Sequence, residues 1–492
     1  MADVYAKTAL FIDGSERDSS NGQVTELRNP AKLDEAVGEF ARGTVDDVDA
    51  AMEAAAKAYP AWSSFRAVER AEKLRQIADM LVADPEDVTA RTRLLTREHG
   101  KPLFESNIEI TRIADRFRQV ASFAERLDAE QNTQSPMFDT IVQRKGRGVT
   151  TLIVPWNWPL AILGAKLPQA LLAGNTIVIK LAENATLATA QTIIKIAKRL
   201  PPGVVNLITG PGRELGDRLV GHPLVRQVNF TGSVGVGQRV MKICADNITD
   251  VTLELGGNDA GLMLEDVDTS GNFYQRLFHA TFLTSGQICM AMKRLYVHRS
   301  RYEEILEGFS AFLNGITIGS GLTDGVQMGP VNNERQFKVV QEFTREAEAA
   351  GVELRRCGQW EASINPGQGY FLPATLAINP DPKLQVVRLE QFGPILPIIP
   401  FDTDNEALAY ANDCELGLSS SVWSADVKRA VAIARRIDAG YTNINAHGPT
   451  AMDGLSPFGG VKQSGIGRNF GFEGIQQFQE AHSISMPKGA LG

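Results

Sequence analysis

Between residues 149 and 255, short apolar runs alternate with helical segments, and this alternation restricts the fold more than any other feature of the chain. The runs 150–154, 176–180, 204–208, 226–230 and 251–255 read as strands, with helices between them at about 160–173, 186–199, 213–220 and 234–245. Several of these runs are continuously apolar, as expected of parallel strands covered on both faces. Strands and helices in that order form a βαβ series, whose commonest form is a Rossmann-like nucleotide domain. A second α/β series follows, with strands at Leu295–His298, Leu396–Ile399 and Thr442–Asn445 and helices at 301–314 and 425–439. At 492 residues the chain exceeds what one core normally holds, so at least two domains are expected.

The N-terminal part has a different texture. Leu10–Ile12 before Asp13-Gly14 reads as a strand and turn, and Thr44 with Asp47 as a capping box. The helix it opens places Val45, Val48, Ala51 and Ala55 on one face and is expected to run to Pro60. Helical spacing resumes at 65–82, 86–98 and 102–127, with Gly100 as a C-cap and Pro102 as a first helical residue. Residues 129–148 break this pattern and turn β-like at Phe138–Val142, as an arm or hairpin would. The tail 482–487 reads as an edge strand available to another subunit.

Composition removes several function classes. A net charge of −8 argues against nucleic-acid or anionic-membrane partners. No run of 18 apolar residues occurs, so no membrane span is expected. The four cysteines lack C-x-x-C spacing, which argues against a disulfide framework or a zinc site and fits a reducing compartment. The N-terminus lacks a secretory pattern, so a cytoplasmic protein with no metal is expected.

Two stretches carry chemistry. Cys289 ends the run Thr284-Ser285-Gly286-Gln287-Ile288-Cys289, whose small residues leave room for a substrate beside a sulfur nucleophile. Glu254 ends an apolar strand just before Gly256-Gly257, where a partly dry carboxylate would have its pKa raised toward neutrality. Alone, a buried cysteine is more often an inert small hydrophobe and a strand-end glutamate a solvated charge. Two glycine turns follow apolar strands, Gly210-Pro211-Gly212 and Thr231-Gly232-Ser233; both suit phosphate contact and both could be plain turns. Lys180 and Glu183, at the end of strand 176–180, can reach ribose hydroxyls, or can form an exposed ion pair. A carboxylate at 183 would accept from a free 2′-hydroxyl and repel a 2′-phosphate, favouring NAD over NADP.

Taken together, these residues resemble the aldehyde dehydrogenase superfamily. The matching runs are Pro155-Trp156-Asn157-Trp158-Pro159, Lys180-Leu181-Ala182-Glu183, Phe230-Thr231-Gly232-Ser233, Leu253-Glu254-Leu255-Gly256-Gly257, Ser285–Cys289, Glu390-Gln391-Phe392-Gly393-Pro394 and Pro457-Phe458-Gly459-Gly460, in the family's order. The resemblance implies an α/β fold with a Rossmann-like cofactor domain, an α/β catalytic domain and a small β oligomerisation element. The NAD-binding domain would comprise 1–128 and 149–254, and the catalytic domain 255–440. A return segment with the substrate loop would span 441–477, and 129–148 with 478–492 would form the oligomerisation element of a homodimer or homotetramer.

The resemblance also implies roles. Cys289 attacks the aldehyde, Asn157 steadies the oxyanion, and Glu254 activates the water that hydrolyses the thioester. Lys166 relays protons or is a surface lysine. Pro155, Trp156, Lys180, Glu183, Gly212, Phe230, Thr231, Gly232, Ser233, Leu255, Glu390 and Phe392 hold NAD, with NADP also open. Trp158, Ile162, Ala165, Gln287, Ile288, Met290, Met452 and Phe458 line the substrate tunnel. Ala165 brings no cation next to Lys166, so an uncharged medium-chain aliphatic or aromatic aldehyde is expected. The alternatives are a coenzyme A-acylating or semialdehyde dehydrogenase of the same superfamily, or a member without turnover. His279 is expected to be a helix-surface or core histidine.

Overall fold

In a computed structural model, which describes residues 4–129 and 131–490, the five apolar runs are the strands Val149–Ile153, Thr176–Lys180, Val205–Ile208, Val225–Thr231 and Asp250–Glu254. They lie parallel in the spatial order Asp250–Glu254, Val225–Thr231, Val149–Ile153, Thr176–Lys180, Val205–Ile208. The order reverses beside Val149–Ile153, between it and Val225–Thr231, and in open α/β sheets ligands bind at such a point. Ile177, Val178 and Ile179 are completely buried, as the continuous apolar run of their strand requires, and Leu207 and Val228 are buried on strands that also carry the buried polar residues Asn206, Gln227 and Asn229. Antiparallel edges extend the sheet, Leu10–Ile12 with Ser15–Arg17 on one side and Gly465–Ile466 on the other.

A second sheet of seven strands runs Glu353–Cys357, Ala374–Ile378, Ile395–Phe401, Met292–His298, Asp259–Met263, Ser419–Trp423 and Tyr441–Ile444. All of its pairings are parallel except that of Glu353–Cys357. Four of these strands were not expected from sequence. Ser419–Trp423 opens with three serines yet is wholly buried. Its hydroxyls are satisfied inside the protein: Ser419 donates to Asp259, Ser420 pairs with Thr442 at 2.8 Å and Ser421 with His447 Nδ1 at 2.8 Å. A third sheet joins Gln131–Gln134, Phe138–Gly146 and Gln479–Pro487. The tail therefore pairs within its own chain, in register from Gln479 opposite Gly146 to Pro487 opposite Phe138.

Several helix boundaries differ from expectation for physical reasons. The Thr44–Asp47 capping box is present, but its helix, Val45–Ser64, continues through Pro60. A proline inside a helix costs about 3 kcal/mol; here the continuation carries Trp62 into the core, where it is 1% exposed. Pro102 is the N-cap and not the first helical residue, its ψ of 154° being extended, and the helix Leu103–Ala121 begins after it. A short separate turn, Ala124–Asp128, follows that helix. The helix expected at 160–173 is two, Pro159–Gly164 and Leu167–Leu172. Pro168 explains the break: its ring would clash with the carbonyl of Gly164 in a continuous helix. The interruption leaves Ala165 and Lys166 at a junction. Among the described residues no helix is long and apolar enough to cross a membrane.

Candidate active site

A cavity of about 940 Å³ opens where the first sheet reverses its strand order. Ile153–Asn157 line it beyond one strand, and Phe230–Ser233 beyond its neighbour. Every residue expected to hold the cofactor is in its wall: Pro155, Trp156, Lys180, Glu183, Gly212, Phe230, Thr231, Gly232, Ser233, Leu255, Glu390 and Phe392. Asn157 and Cys289 also reach it, whereas Glu254 and Lys166 lie behind.

At one end stands the ammonium of Lys180. It is 6% exposed and makes no hydrogen bond or ion pair among the described residues. Burial pushes its pKa down to about 8, with nearby Glu183 pulling the other way. A Cβ at position 212 would stand 3.5 Å from this nitrogen, so glycine leaves the cation uncovered. Ser233 caps the helix Val234–Asn247 without a side-chain hydrogen bond, leaving donors at that N-terminus open to the cavity.

At the other end, Glu390 accepts a hydrogen bond from the Gly257 N–H at 3.1 Å, and its carboxylate is 3.5 Å from the Lys293 ammonium. Phe392 meets Trp156 edge-on, with ring centroids 5.5 Å apart.

Cys289 is half-buried at the floor. The loop before it is unusual: Thr284, Ser285 and Gly286 have φ of 54°, 55° and 74°, three left-handed residues in succession. Such a conformation costs about 1–3 kcal/mol for a residue with a side chain. At Gly286 a Cβ would collide with the Gly393 carbonyl, so only glycine fits. The Asn157 amide donates to the Gln287 carbonyl at 2.9 Å, which brings it to the same loop. Burial pushes the Cys289 thiol up, and Lys293 is the strongest opposing influence.

Lys293 was not singled out from sequence. Its buried ammonium donates to the carbonyls of Ile288 at 2.7 Å and Cys289 at 2.6 Å while facing Glu390. The available signal was the pair Lys293-Arg294 between the apolar residues 290–292 and 295–297.

Glu254 is buried, and burial pushes its carboxyl up to about 7 although Lys166 pulls it down. One oxygen accepts from the Asn469 amide at 3.0 Å; the other has no partner. Lys166 is 1% exposed, which excludes the surface-lysine alternative. Its ammonium donates to Asn229 Oδ1, and Asn229 Nδ2 donates to Asn469 Oδ1 at 3.3 Å. A polar chain thus connects Lys166 to Glu254. Asn229, between Val228 and Phe230 on the strand Val225–Thr231, was not singled out from sequence.

Trp158, Ala165, Ile288, Met290 and Phe458 are buried together with Phe470, and Ile162, Met452 and Cys289 pack against them. Gln287 is the exception among the expected tunnel residues. Its side chain is fully buried, donates to the Thr284 carbonyl at 2.9 Å and accepts from the Asn332 N–H at 2.9 Å. Both ends of the amide are committed to the loop's own architecture. His447, beside the substrate loop, is likewise buried against Ser421. His279 is half-buried on the helix Phe273–Thr281.

Fold and site define an α/β enzyme whose two large sheets flank a nucleotide-sized cleft reached by a cysteine. The aldehyde dehydrogenase family model matches residues 17–484, and the chain belongs to that family of oxidoreductases. Glutarate-semialdehyde dehydrogenase of Pseudomonas putida is 33% identical over 473 residues, covering 96% of each chain. The chloroplastic betaine aldehyde dehydrogenase of Beta vulgaris is 34% identical over 487 residues, covering 97% of this chain and 95% of that one. The crystal structure of betaine aldehyde dehydrogenase from Staphylococcus aureus in complex with NAD+ superposes with a TM-score of 0.92 at 30% identity, covering 98% and 95%.

Proposed function

We propose that this enzyme oxidises an uncharged medium-chain aliphatic or aromatic aldehyde to its carboxylic acid with NAD, holding the substrate carbon on Cys289. The cavity suits a dinucleotide. Lys180, a buried residue whose unpartnered ammonium is open to the cavity, offers a cation to oxygen ligands, and with Glu183 it would hold the adenosine ribose. The open helix terminus at Ser233 favours a pyrophosphate. Glu390 would hold the second ribose, beside Phe392. A nicotinamide held there would supply the acceptor for the hydride that leaves the substrate carbon.

The chain's own groups account for the rest. The Cys289 sulfur gives up its proton to water in the cavity and adds to the carbonyl carbon, and the amide of Asn157 with the Cys289 N–H receives the oxygen's developing charge, each such donor contributing about 2.7–4 kcal/mol. After oxidation the acyl group remains on sulfur as a thioester. Glu254, through its unpartnered oxygen, takes a proton from water, which attacks the thioester and releases the acid. Lys166, through Asn229 and Asn469, holds Glu254 in place, every donor of the chain pointing toward its carboxylate. The observation that carries the reading is this dry carboxylate, with one oxygen free, behind a cavity that Cys289 and Asn157 share. Titrating NAD against an aldehyde, with product analysed with and without coenzyme A, tests it: the free acid is expected in both cases, and an acyl-coenzyme A product would replace this reading with the acylating one.

The apolar cluster around Cys289, with Ala165 adding no cation, supports the uncharged substrate. One observation favours a second reading. The Arg116 guanidinium lies over the Phe470 ring at 4.9 Å and could meet an anionic tail, as in a semialdehyde. Compared by kcat/KM, uncharged medium-chain and aromatic aldehydes are expected to exceed succinic semialdehyde; a lower KM for the carboxylated aldehyde than for its uncharged analogue would favour the second reading.

NAD is expected over NADP because of the Glu183 carboxylate. Glu183→Gln should narrow the preference by about tenfold, seen as the ratio of kcat/KM for the two cofactors, because one charge repulsion of about 1.4 kcal/mol is removed. The strand Gln479–Pro487, paired on one edge only among the described strands, supports assembly into a homodimer or homotetramer. The four free cysteines suit the cytoplasm.

A further inference from the structure

The face of one helix grips both walls of the reaction site. The helix Leu103–Ala121 presents Glu105 and Glu109, four residues apart and therefore one above the other, and Lys101 stands just before its cap. All three side chains are completely or almost completely buried. Buried charges of this kind persist only when each is paired, and here the partners are the functional segments themselves.

The Glu105 carboxylate accepts from both the N–H of Thr284, at 3.0 Å, and its hydroxyl. Thr284 is the first of the three left-handed residues that turn the chain toward Cys289, and a β-branched residue in that conformation is an outlier. The same hydroxyl accepts from the Trp158 indole at 2.8 Å. Glu109 accepts from the N–H groups of Leu160, at 3.0 Å, and Ala161, at 3.2 Å, which start the short helix after Asn157 and have no cap of their own. Lys101 completes the second system: its ammonium donates to Glu109 and to the Asn157 carbonyl at 2.6 Å, and the Trp158 indole on the Thr284 hydroxyl links that segment to the first. The segment of the oxyanion donor and the loop of the nucleophile are thus fastened to one rigid helix, next to each other.

We propose that Glu105 is a positioning residue for the oxidation: by holding Thr284 in its left-handed conformation it sets the Cys289 loop against Asn157, with Lys101 and Glu109 fastening the Asn157 side of the same frame. It touches neither substrate nor cofactor. The role is to keep the sulfur and the amide donor in register before the aldehyde arrives. This rests on Cys289 being the nucleophile, and the experiment separates the two: an active Cys289→Ala enzyme would sink the nucleophile, whereas the variants below bear on the frame alone.

The test is a double replacement in the full-length enzyme. Glu105→Gln keeps the shape of the side chain and weakens its grip on Thr284; kcat is expected to fall about ten- to a hundredfold, the order of loss for a small misplacement of reacting groups, with KM for NAD within about twofold. The rate of Cys289 alkylation by iodoacetamide, with aldehyde absent, is expected to change with kcat. Thr284→Gly then makes the left-handed backbone free of strain, so E105Q with T284G should recover most of the lost kcat. A purely structural role of Glu105 would show no such recovery. The proposal is overturned if E105Q keeps the wild-type kcat, or if the folded double variant is as slow as E105Q. Should E105Q fail to fold, Thr284→Val serves: it removes the hydroxyl shared by Glu105 and Trp158 and is expected to lower kcat while sparing KM for NAD. A T284V enzyme at the wild-type kcat would equally overturn the proposal.

Discussion

Cys289→Ala is expected to lower aldehyde-dependent NADH formation by several orders of magnitude, on the order of 10⁶ where a nucleophile has been removed from other enzymes. The size of the effect follows from covalency. Without sulfur there is no tetrahedral adduct from which the substrate hydrogen can depart, and an unreacted aldehyde hydrogen is a poor donor. Alanine removes only the sulfur from a half-buried side chain, and the loop's left-handed turn is held at Thr284 by Glu105 and at Ser285 by the Gly329 carbonyl, 2.8 Å from its hydroxyl. The variant should therefore melt close to the wild type and bind NAD with nearly unchanged Kd, since Lys180, Glu183 and Ser233 are untouched. Initial rates of NADH absorbance and a Kd from quenching of protein fluorescence check both halves. Full NADH formation by the alanine variant would mean that another group carries the substrate.

Much of this was legible in the sequence because the chemistry and the fold leave short local signatures. A parallel strand buried on both faces must be apolar throughout, and Thr176–Lys180 can be read directly from that requirement. Cys289, Glu254 and Asn157 each sit in a short run that is ambiguous alone, and it is the order of seven such runs along the chain that marks the family. What stayed hidden was long-range. Ser419–Trp423 looks polar because its hydroxyls find partners, among them Asp259 and His447, from distant parts of the chain. Gln287 sits two residues from the nucleophile yet turns away, because its amide is committed to Thr284 and Asn332, the latter 45 positions on. Lys293, Asn229 and Glu105 each stand among apolar as well as polar neighbours, with Arg294, Gln227 and Ser106 close by. Such positions do not name their buried partners, which only folding supplies.

Glu254→Gln should separate the two halves of the reaction. The amide keeps the volume of the carboxylate and a carbonyl oxygen for the Asn469 donor, but it cannot take a proton from water. Thioester formation does not need that proton transfer, so the first turnover should remain fast and release about one equivalent of NADH per active site. Steady-state turnover should then drop by about 10²- to 10⁴-fold, the usual contribution of a general base, and in stopped flow the loss appears as a burst followed by a phase far slower than the wild-type steady state. The pH dependence has a definite sign. Burial holds the Glu254 carboxyl up to about 7, above its ordinary value near 4.3. Only the ionised form accepts a proton, so where hydrolysis limits the wild-type rate, kcat should rise with pH through about 7 and level off above it. The variant should lack that rise, because glutamine does not titrate. If instead the first turnover slowed as much as the steady state, with no burst, Glu254 would be acting before the thioester forms. Its free oxygen would then be better read as the base that takes the proton of Cys289, whose thiol burial keeps protonated at neutral pH.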